Sequence, residues 1–245
     1  NDPTKTGEVT QIIPHKDGYT PKDGNGTPLE PVNPAKPEEG YKPPKITDPK
    51  ANIKITYDKD NQKAKVKFVS VDDKGVETPL DTKYNIDDLT GKSGDKIPEE
   101  KVQARVDVLK SMGYDVVDNP FDQDPTFDTK KEIDQEFTIK VKPQVSTAKP
   151  VYVVEGDKPS SEKLKDAVTT KGNEKTVDET KLPDTTDKVG DDTLKAPVTV
   201  TYGSGDNKRE ETVNVPIKVV AGYPQIVPVS ADKKQPSPED NIDPA

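Results

Sequence analysis

The sequence contains no cysteine and no tryptophan, a single histidine, a single methionine and only 5% aromatic residues. Without cysteine, the chain can form neither disulfide bonds nor thiolate metal sites. The histidine, His15, lies in a proline-rich stretch, where we expect a solvated side chain rather than a catalytic base or a metal ligand. No apolar run approaches the roughly 18 residues that a membrane-spanning helix needs, so we expect no membrane insertion.

The 245 residues are polar and acidic, with 28% hydrophobic residues and a formal net charge of −9. This composition is too polar for one large enzyme core and fits small domains joined by polar connectors. Net acidity argues against nucleic acid, which attracts basic surfaces. A catalytic carboxylate pair needs a partly apolar pocket to shift its pKa values, and small polar domains supply little material for one. We therefore expect a non-catalytic protein that uses no cofactor.

Proline marks the candidate domain boundaries. Ten of the 25 prolines fall in residues 1–50, which we interpret as an extended linker or the tail of a preceding repeat. Residues 223–245 are again proline-rich and are predicted to be a second linker. Between the two, residues 51–144 and 145–222 are predicted to be two domains in an elongated, monomeric tandem. The lack of cysteine indicates a cytosolic protein or a Gram-positive surface protein, and we expect the chain to be a fragment.

One helix and several strands are predicted for the first domain. Pro98 suits a first helical turn, Val102, Val106 and Leu109 would share one helix face, and Gly113 would end the helix. Alternating apolar residues predict strands before and after it, with a bulge or a two-sided strand near Val66–Val71. The predicted strands lie near Ile53–Tyr57, Val66–Val71, Tyr114–Val117 and Phe137–Val141. A helix across a small mixed sheet is typical of an α+β fold with a β-grasp-like arrangement.

An ordered set of short motifs spans the first domain. The set comprises Asp88-Leu89-Thr90-Gly91-Lys92-Ser93-Gly94, Gly113-Tyr114-Asp115-Val116-Val117, Phe127-Asp128 and Gln135-Glu136-Phe137-Thr138-Ile139. In this order the motifs resemble the mucus-binding repeat of surface adhesins from lactic acid bacteria, and Gly18–Gly26 and Gly40-Tyr41 resemble its connectors. The resemblance covers roughly residues 18–144. It implies a ubiquitin-like β-grasp fold and adhesion to mucin glycans, with immunoglobulin binding also known in the family.

The second domain is predicted to be mostly β. Val151–Val154 is a short apolar run, Ser160 or Ser161 would cap a short helix carrying Leu164, and residues 169–190 have no strand pattern. Residues 198–202 and 213–219 alternate on either side of a Gly-rich turn and predict a hairpin. The segments 197–202 and 212–217 resemble the Rib/alpha-like repeat of streptococcal and lactobacillar surface proteins. That resemblance implies a small immunoglobulin-like β-sandwich, an all-β unit used in stalks.

Two groups of residues are candidate binding sites. Thr90, Lys92 and Ser93 offer hydroxyl and ammonium groups on a glycine-bracketed loop, and Tyr84 and Tyr114 could stack against sugars. The alternatives are a purely structural turn for the loop and a core position for Tyr114. Four aspartates could supply the oxygens that calcium prefers, but they lack the glycine and glutamate of an EF-hand, so a solvated acidic loop is the alternative. These are Asp118, Asp122, Asp124 and Asp128.

The leading hypothesis is a Gram-positive cell-surface adhesin, anchored to the wall outside this chain, that binds mucin glycans or host glycoproteins. The alternatives are a structural stalk and a module that captures immunoglobulin or another host protein through an exposed strand edge. Mucins are acidic, so like charges oppose attraction near neutral pH. Because the isoelectric point is near 4.9, we expect stronger adhesion at about pH 4.5 than at about pH 7.

Overall fold

The structure is a computed structural model that describes residues 11–48 and 50–222. It is mostly β, with two α-helices and several sheets, which confirms the expected mixture of α+β and all-β structure. In chain order the elements are β1 (Tyr19–Lys22), β2 (Thr56–Lys59), β3 (Asn61–Val71), β4 (Glu77–Pro79), β5 (Ile86–Lys92), α1 (Glu100–Ser111), β6 (Tyr114–Asp118), β7 (Gln135–Pro143), β8 (Thr147–Ala148), β9 (Val151–Val154), α2 (Ser161–Ala167), β10 (Val168–Thr169), β11 (Glu174–Thr176), β12 (Lys195–Ser204) and β13 (Asn207–Val220).

The chain divides into two compact units. The first unit contains the described residues up to 147 together with 169–176 and 199–212. The second contains residues 148–168, 177–198 and 213–222. The two long strands β12 and β13 therefore contribute residues to both units.

A mixed sheet forms the framework of the first unit. Its strand order is β4-β3-β7-β6, and β5 also pairs with β3. The two central strands, β3 and β7, are parallel, and all the other pairs in this sheet are antiparallel. The β3–β5 register shifts between Ala64 and Val66, just before the Val66–Val71 stretch for which a bulge or a two-sided strand was predicted.

The helix α1 packs against this sheet. Val102, Val106 and Leu109 are buried on one face, and Gly113 takes a positive φ of 76° just beyond the helix end, as the sequence predicted. The helix begins at Glu100 rather than at Pro98. The preceding segment is held in another conformation by a hydrogen bond from Ile97 N–H to the carbonyl of Pro125. The core around α1 consists of Ala64, Val66, Phe68, Tyr84, Ile86, Leu89, Ile97, Val102, Val106, Leu109, Met112, Phe121, Phe127, Ile139 and Val141.

Part of the proline-rich N-terminal region is folded onto the first unit. Strand β1 pairs with β2, with Tyr19 opposite Lys59, and Leu29 and Tyr41 are buried. The Asp-Gly and Asn-Gly pairs form a tight loop, closed by a hydrogen bond from Asp23 N–H to the carbonyl of Thr27. This stretch therefore differs from the extended connector that its prolines predicted.

The second unit contains the short helix α2 and a parallel strand pair. The Ser160 hydroxyl accepts a hydrogen bond from Lys163 N–H, as expected for a cap, and Leu164 is fully buried. Strand β9 runs parallel to the end of β13. The buried apolar residues of this unit are Val151, Val153, Leu164, Val168, Ala196, Val198, Val213, Val215, Ile217 and Val219.

The predicted hairpin of the C-terminal half is present, since β12 and β13 are neighbours joined at a turn after Ser204. Within residues 169–190, where no strand was expected, Glu174–Thr176 pairs antiparallel with Thr199–Thr201. This edge strand carries no apolar alternation, so hydrophobic patterning could not reveal it. The linker predicted for residues 223–245 lies outside the described residues.

Candidate functional site

The first unit has several polar surface grooves, and two of them contain residues that the sequence singled out. The first, which we call the β3–β5 groove, has a volume of about 510 Å³ and is lined by Asn61, Gln62, Lys63, Thr90, Gly91, Lys92, Lys131, Ile133 and Asp134. The second, which we call the α1 groove, has a volume of about 620 Å³ and is lined by Lys83, Tyr84, Asn85, Ile86, Asp87, Asp88, Lys101, Ala104, Arg105, Val108 and Asn207.

The antiparallel register of β3 and β5 builds the first groove. Asn61 lies opposite Lys92, and Lys63 lies opposite Thr90. Because residues opposite each other point to the same face, and residues two apart along a strand do so as well, these four side chains share one surface. All four are exposed. The Lys92 ammonium donates a hydrogen bond to the Asn61 side-chain oxygen over 2.6 Å, which holds two of these polar groups side by side.

The residues between them support the groove from the opposite face. Gln62 is buried, and its side-chain nitrogen donates to the Ser93 hydroxyl over 2.9 Å. A Cβ on Gly91 would lie only 2.3 Å from the Phe127 ring, so glycine permits that ring to pack beneath the strand. The floor of the groove is thus fixed by packing and by one buried hydrogen bond.

The structure brings together only part of the predicted glycan-binding set. Thr90 and Lys92 line the same groove, although they lie on strand β5 rather than on a loop. Ser93 is 3% exposed and donates to the Asp60 carbonyl over 3.4 Å, so it stabilises the strand end. Sequence patterns did not single out Lys63 or Lys131, because nothing local indicates that they join Lys92.

The two predicted tyrosines lie elsewhere. Tyr84 is 6% exposed, and its hydroxyl donates to the Met112 sulfur over 3.4 Å, which leaves little ring surface for a sugar. Tyr114 is half-buried, with the Arg209 guanidinium 5.2 Å from its ring centre. Burial raises the pKa of the Tyr114 hydroxyl, which is partly opposed by the charge of Arg209.

Charge is unevenly distributed along the β3–β5 groove. Its lining includes three lysines, Lys63, Lys92 and Lys131, and one aspartate, Asp134. That aspartate is ion-paired with Lys65 over 3.0 Å, and the hydrogen bond raises the pKa of the Lys65 ammonium. Since Lys65 neutralises the carboxylate, the groove carries local positive charge on a protein with a net charge of −9.

In the α1 groove the cationic side chains are already engaged. Lys101 forms an ion pair with Asp88 over 2.5 Å, and this hydrogen bond lowers the pKa of the Asp88 carboxyl. Arg105 donates to the Lys83 carbonyl over 2.6 Å, and Lys83 donates to the Asp206 carbonyl over 3.0 Å. A ligand here would have to displace these contacts, which makes the β3–β5 groove the more accessible candidate site.

The four aspartates that sequence reasoning considered for calcium do not form a cluster. Asp118 lies opposite Lys140 in the sheet, and Asp122 lies in a short 3-10 helix. Asp124 pairs with Lys96 over 2.7 Å, which lowers the pKa of its carboxyl, and Asp128 accepts from Lys130 N–H. Within residues 11–48 and 50–222, no three His, Cys, Asp or Glu side chains come together in a way that could hold a metal ion.

The first unit matches a known family in part of its length. Residues 62–143 match the family model described as mucin binding domain, MucBP_2. This range starts in β3 and ends in β7, so it takes in the helix α1 and the three groove lysines. The match is to a family of binding domains and covers less than half of the chain.

The predicted resemblance to mucus-binding repeats is therefore confirmed for these residues. No curated protein matches the chain. In the part of the chain that the structure describes, no helix is long and apolar enough to cross a membrane.

Proposed function

We propose that this chain is part of a non-catalytic Gram-positive cell-surface adhesin that binds mucin glycans or host glycoproteins. The single observation that carries the proposal is the mucin-binding family match over residues 62–143, which coincides with the sheet and helix of the first unit. We further propose that a segment outside this chain anchors the protein to the cell wall and that the chain acts as a monomer.

The architecture that we propose is a β-grasp domain in residues 51–144 followed by a Rib-like, immunoglobulin-like domain in residues 145–222. The β-grasp assignment is supported by the strand order and by the parallel pairing of β3 with β7. It is also supported by the helix α1, which lies in the chain between the antiparallel β3–β5 and β6–β7 pairs. The capped helix α2 and the parallel pairing of β9 with the end of β13, which both lie in the second unit, support the second assignment. Such small domains would hold the binding face at a distance from the wall.

We propose that the β3–β5 groove is the surface that meets the glycan. Thr90 and Asn61 can exchange hydrogen bonds with sugar hydroxyls, and Ile133, which is 69% exposed, can contact the apolar face of a sugar ring. These are short-range contacts. They can operate although the protein and mucin are both acidic, since repulsion between distant charges is screened beyond about 8 Å at physiological salt.

The test is binding of the purified full chain to immobilised mucin, measured by biolayer interferometry, with serum albumin as a negative surface. We expect mucin binding and a loss of about fivefold in affinity for Thr90→Ala, since one net hydrogen bond contributes about 1 kcal/mol. The matched control is Thr147→Ala, whose exposed side chain lies outside the groove. We also expect tighter binding at about pH 4.5 than at about pH 7. A chain that does not bind mucin at either pH would refute the proposal.

A further inference from the structure

The three groove lysines share one lining and, like many lysines elsewhere in the described part of the chain, are not among those that form the ion pairs seen at the surface. Lysines such as Lys59, Lys101 and Lys142 are each bonded to a carboxylate over 2.5 Å. By contrast, the Lys92 ammonium bonds to the neutral Asn61 amide. Lys63 and Lys131 are exposed and line the same groove, and Lys63 lies within electrostatic range of Asp88, whose carboxylate is hydrogen-bonded to Lys101. In an acidic protein, this arrangement leaves cationic groups available for an anion from outside.

The position of these lysines suits a small anionic group rather than an extended polyanion. Lys63 and Lys92 project from one face of two paired strands, and Lys131 approaches from the segment before β7. The groove between them holds about 510 Å³, which lies within the range of about 300–1,000 Å³ that is typical of small-molecule sites. The Thr90 hydroxyl and the Asn61 amide lie on the same face and can bond the neutral part of the same ligand.

We propose that the β3–β5 groove recognises sugars that carry a carboxylate or a sulfate group, with Lys63, Lys92 and Lys131 pairing with the anion. The inference rests on the proposed mucin binding and specifies its ligand class. Carboxylated and sulfated sugars share the oxygen acceptors that ammonium groups bind. The negative net charge slows approach at long range, whereas the lysines determine which sugar stays bound once it is within a few ångströms.

The experiment compares native mucin with mucin freed of sialic acid and with mucin freed of sulfate, using the full chain. The variant replaces all three lysines, Lys63→Gln, Lys92→Gln and Lys131→Gln. The control, Lys130→Gln, removes a neighbouring exposed lysine that does not line the groove. Circular dichroism checks that every variant is folded. If binding is lost with the mucin freed of sialic acid, the carboxylate is the recognised anion; if it is lost with the mucin freed of sulfate, the sulfate group is.

We expect the triple variant to bind native mucin at least tenfold more weakly and the control to bind within twofold of the unchanged protein. We also expect the unchanged protein to prefer native mucin over at least one stripped form, and the triple variant to lose that preference. This inference is refuted if the unchanged protein binds all three mucins equally, or if the triple variant binds native mucin as tightly as the unchanged protein. In either case the proposed mucin binding still stands. Absence of binding to every mucin refutes both proposals.

As an independent readout, 3′-sialyllactose and a sulfated lactose are titrated against isotope-labelled protein. The anionic sugars should shift the amide signals of Thr90, Gly91 and Lys92, and neutral lactose should shift them less. Equal shifts with lactose would overturn the role of the lysines, because a neutral sugar lacks the group with which they pair.

Discussion

Replacing Arg209 should destabilise the first unit more than its surface position suggests. Its guanidinium donates to three backbone carbonyls: Nε to Met112 over 3.0 Å, and Nη2 to Gly113 over 3.1 Å and to Gln144 over 3.0 Å. Two of these acceptors lie at the C-terminal end of α1, where carbonyls lack partners within the helix and the helix dipole is negative. The same guanidinium lies 4.1 Å from the ring centre of Tyr202.

The expected cost follows from these contacts. A hydrogen bond to a charged group contributes roughly 1.5–3 kcal/mol, and a partly exposed cation–π contact contributes about 0.5–1 kcal/mol. The contributions are not additive, and water can reach part of the site when the side chain is removed. We expect Arg209→Ala to lower the free energy of unfolding by about 2–4 kcal/mol. Arg209→Lys keeps the charge without the planar fork of donors, so it should recover less than half of the loss.

The assay is urea unfolding followed by circular dichroism, with hydrogen exchange at the Met112 and Gly113 amides to report on the end of α1. Arg105→Ala is the matched control, because Arg105 makes one exposed hydrogen bond, to the Lys83 carbonyl. It should cost less than about 1 kcal/mol. The reasoning is refuted if Arg209→Ala is no more destabilising than Arg105→Ala, or if Arg209→Lys is fully stable.

Three further predictions concern the core, the groove floor and pH. Leu109→Ala empties a fully buried position and should lower the free energy of unfolding by about 2–5 kcal/mol in urea unfolding. Gly91→Ala places a Cβ 2.3 Å from the Phe127 ring and should cost about 1–3 kcal/mol, measured in the same way. Burial raises the pKa of the Glu211 carboxyl, but hydrogen bonds from Ser146 and other neighbours outweigh it and hold the pKa below its ordinary value. The carboxylate therefore stabilises the fold above the unfolded pKa of about 4.3, and this contribution is lost as pH falls through the folded pKa. Glu211→Gln lacks this contribution, so thermal melts should show that acid destabilises the variant less than the unchanged protein.

Each of these changes has a matched control in the chain. Val76→Ala removes an exposed apolar side chain, and Gly24→Ala adds a Cβ that meets nothing within 4 Å. Glu210→Gln removes a neighbouring exposed carboxylate. Equal effects of a core or groove change and its control would contradict the packing argument. If acid destabilises Glu211→Gln as steeply as the unchanged protein, the Glu211 argument is wrong.

Local sequence patterns predicted those helices and strands whose formation depends mainly on neighbouring residues. The face of α1 and the glycine that ends it were readable, because helical spacing and a left-handed terminus depend on neighbouring residues. The alternation of residues 137–141 predicted β7 for the same reason. Strand β1 was not predicted, since its partner β2 lies more than thirty residues away and its own prolines argued for an extended connector.

The candidate groove shows that local patterns also fail to reveal which distant residues lie together in a site. A glycine-bracketed polar stretch drew attention to Thr90 and Lys92, and the structure places both in one groove. Ser93 belongs to the same stretch, yet strand alternation turns it inward towards Gln62. Lys63 could not be connected to Lys92 before the β3–β5 register was known, because a shift of one residue would point it to the opposite face. The candidate site therefore depends on the register of β3 and β5, which composition alone does not reveal.

An acidic protein can bind an acidic ligand if several cations that are not ion-paired to a carboxylate share one surface. Most acidic side chains described here that form ion pairs meet a nearby lysine at the surface, and such exposed pairs contribute little to stability. Their larger effect is on the distribution of charge, since each pair removes one cation from the surface available to a ligand. Lys65 illustrates this, because its pairing with Asp134 neutralises the one carboxylate of the groove lining. The positive charge of Lys63, Lys92 and Lys131 then remains at this groove. The selection of an anionic ligand would therefore depend on which charges are neutralised locally rather than on the net charge of the protein.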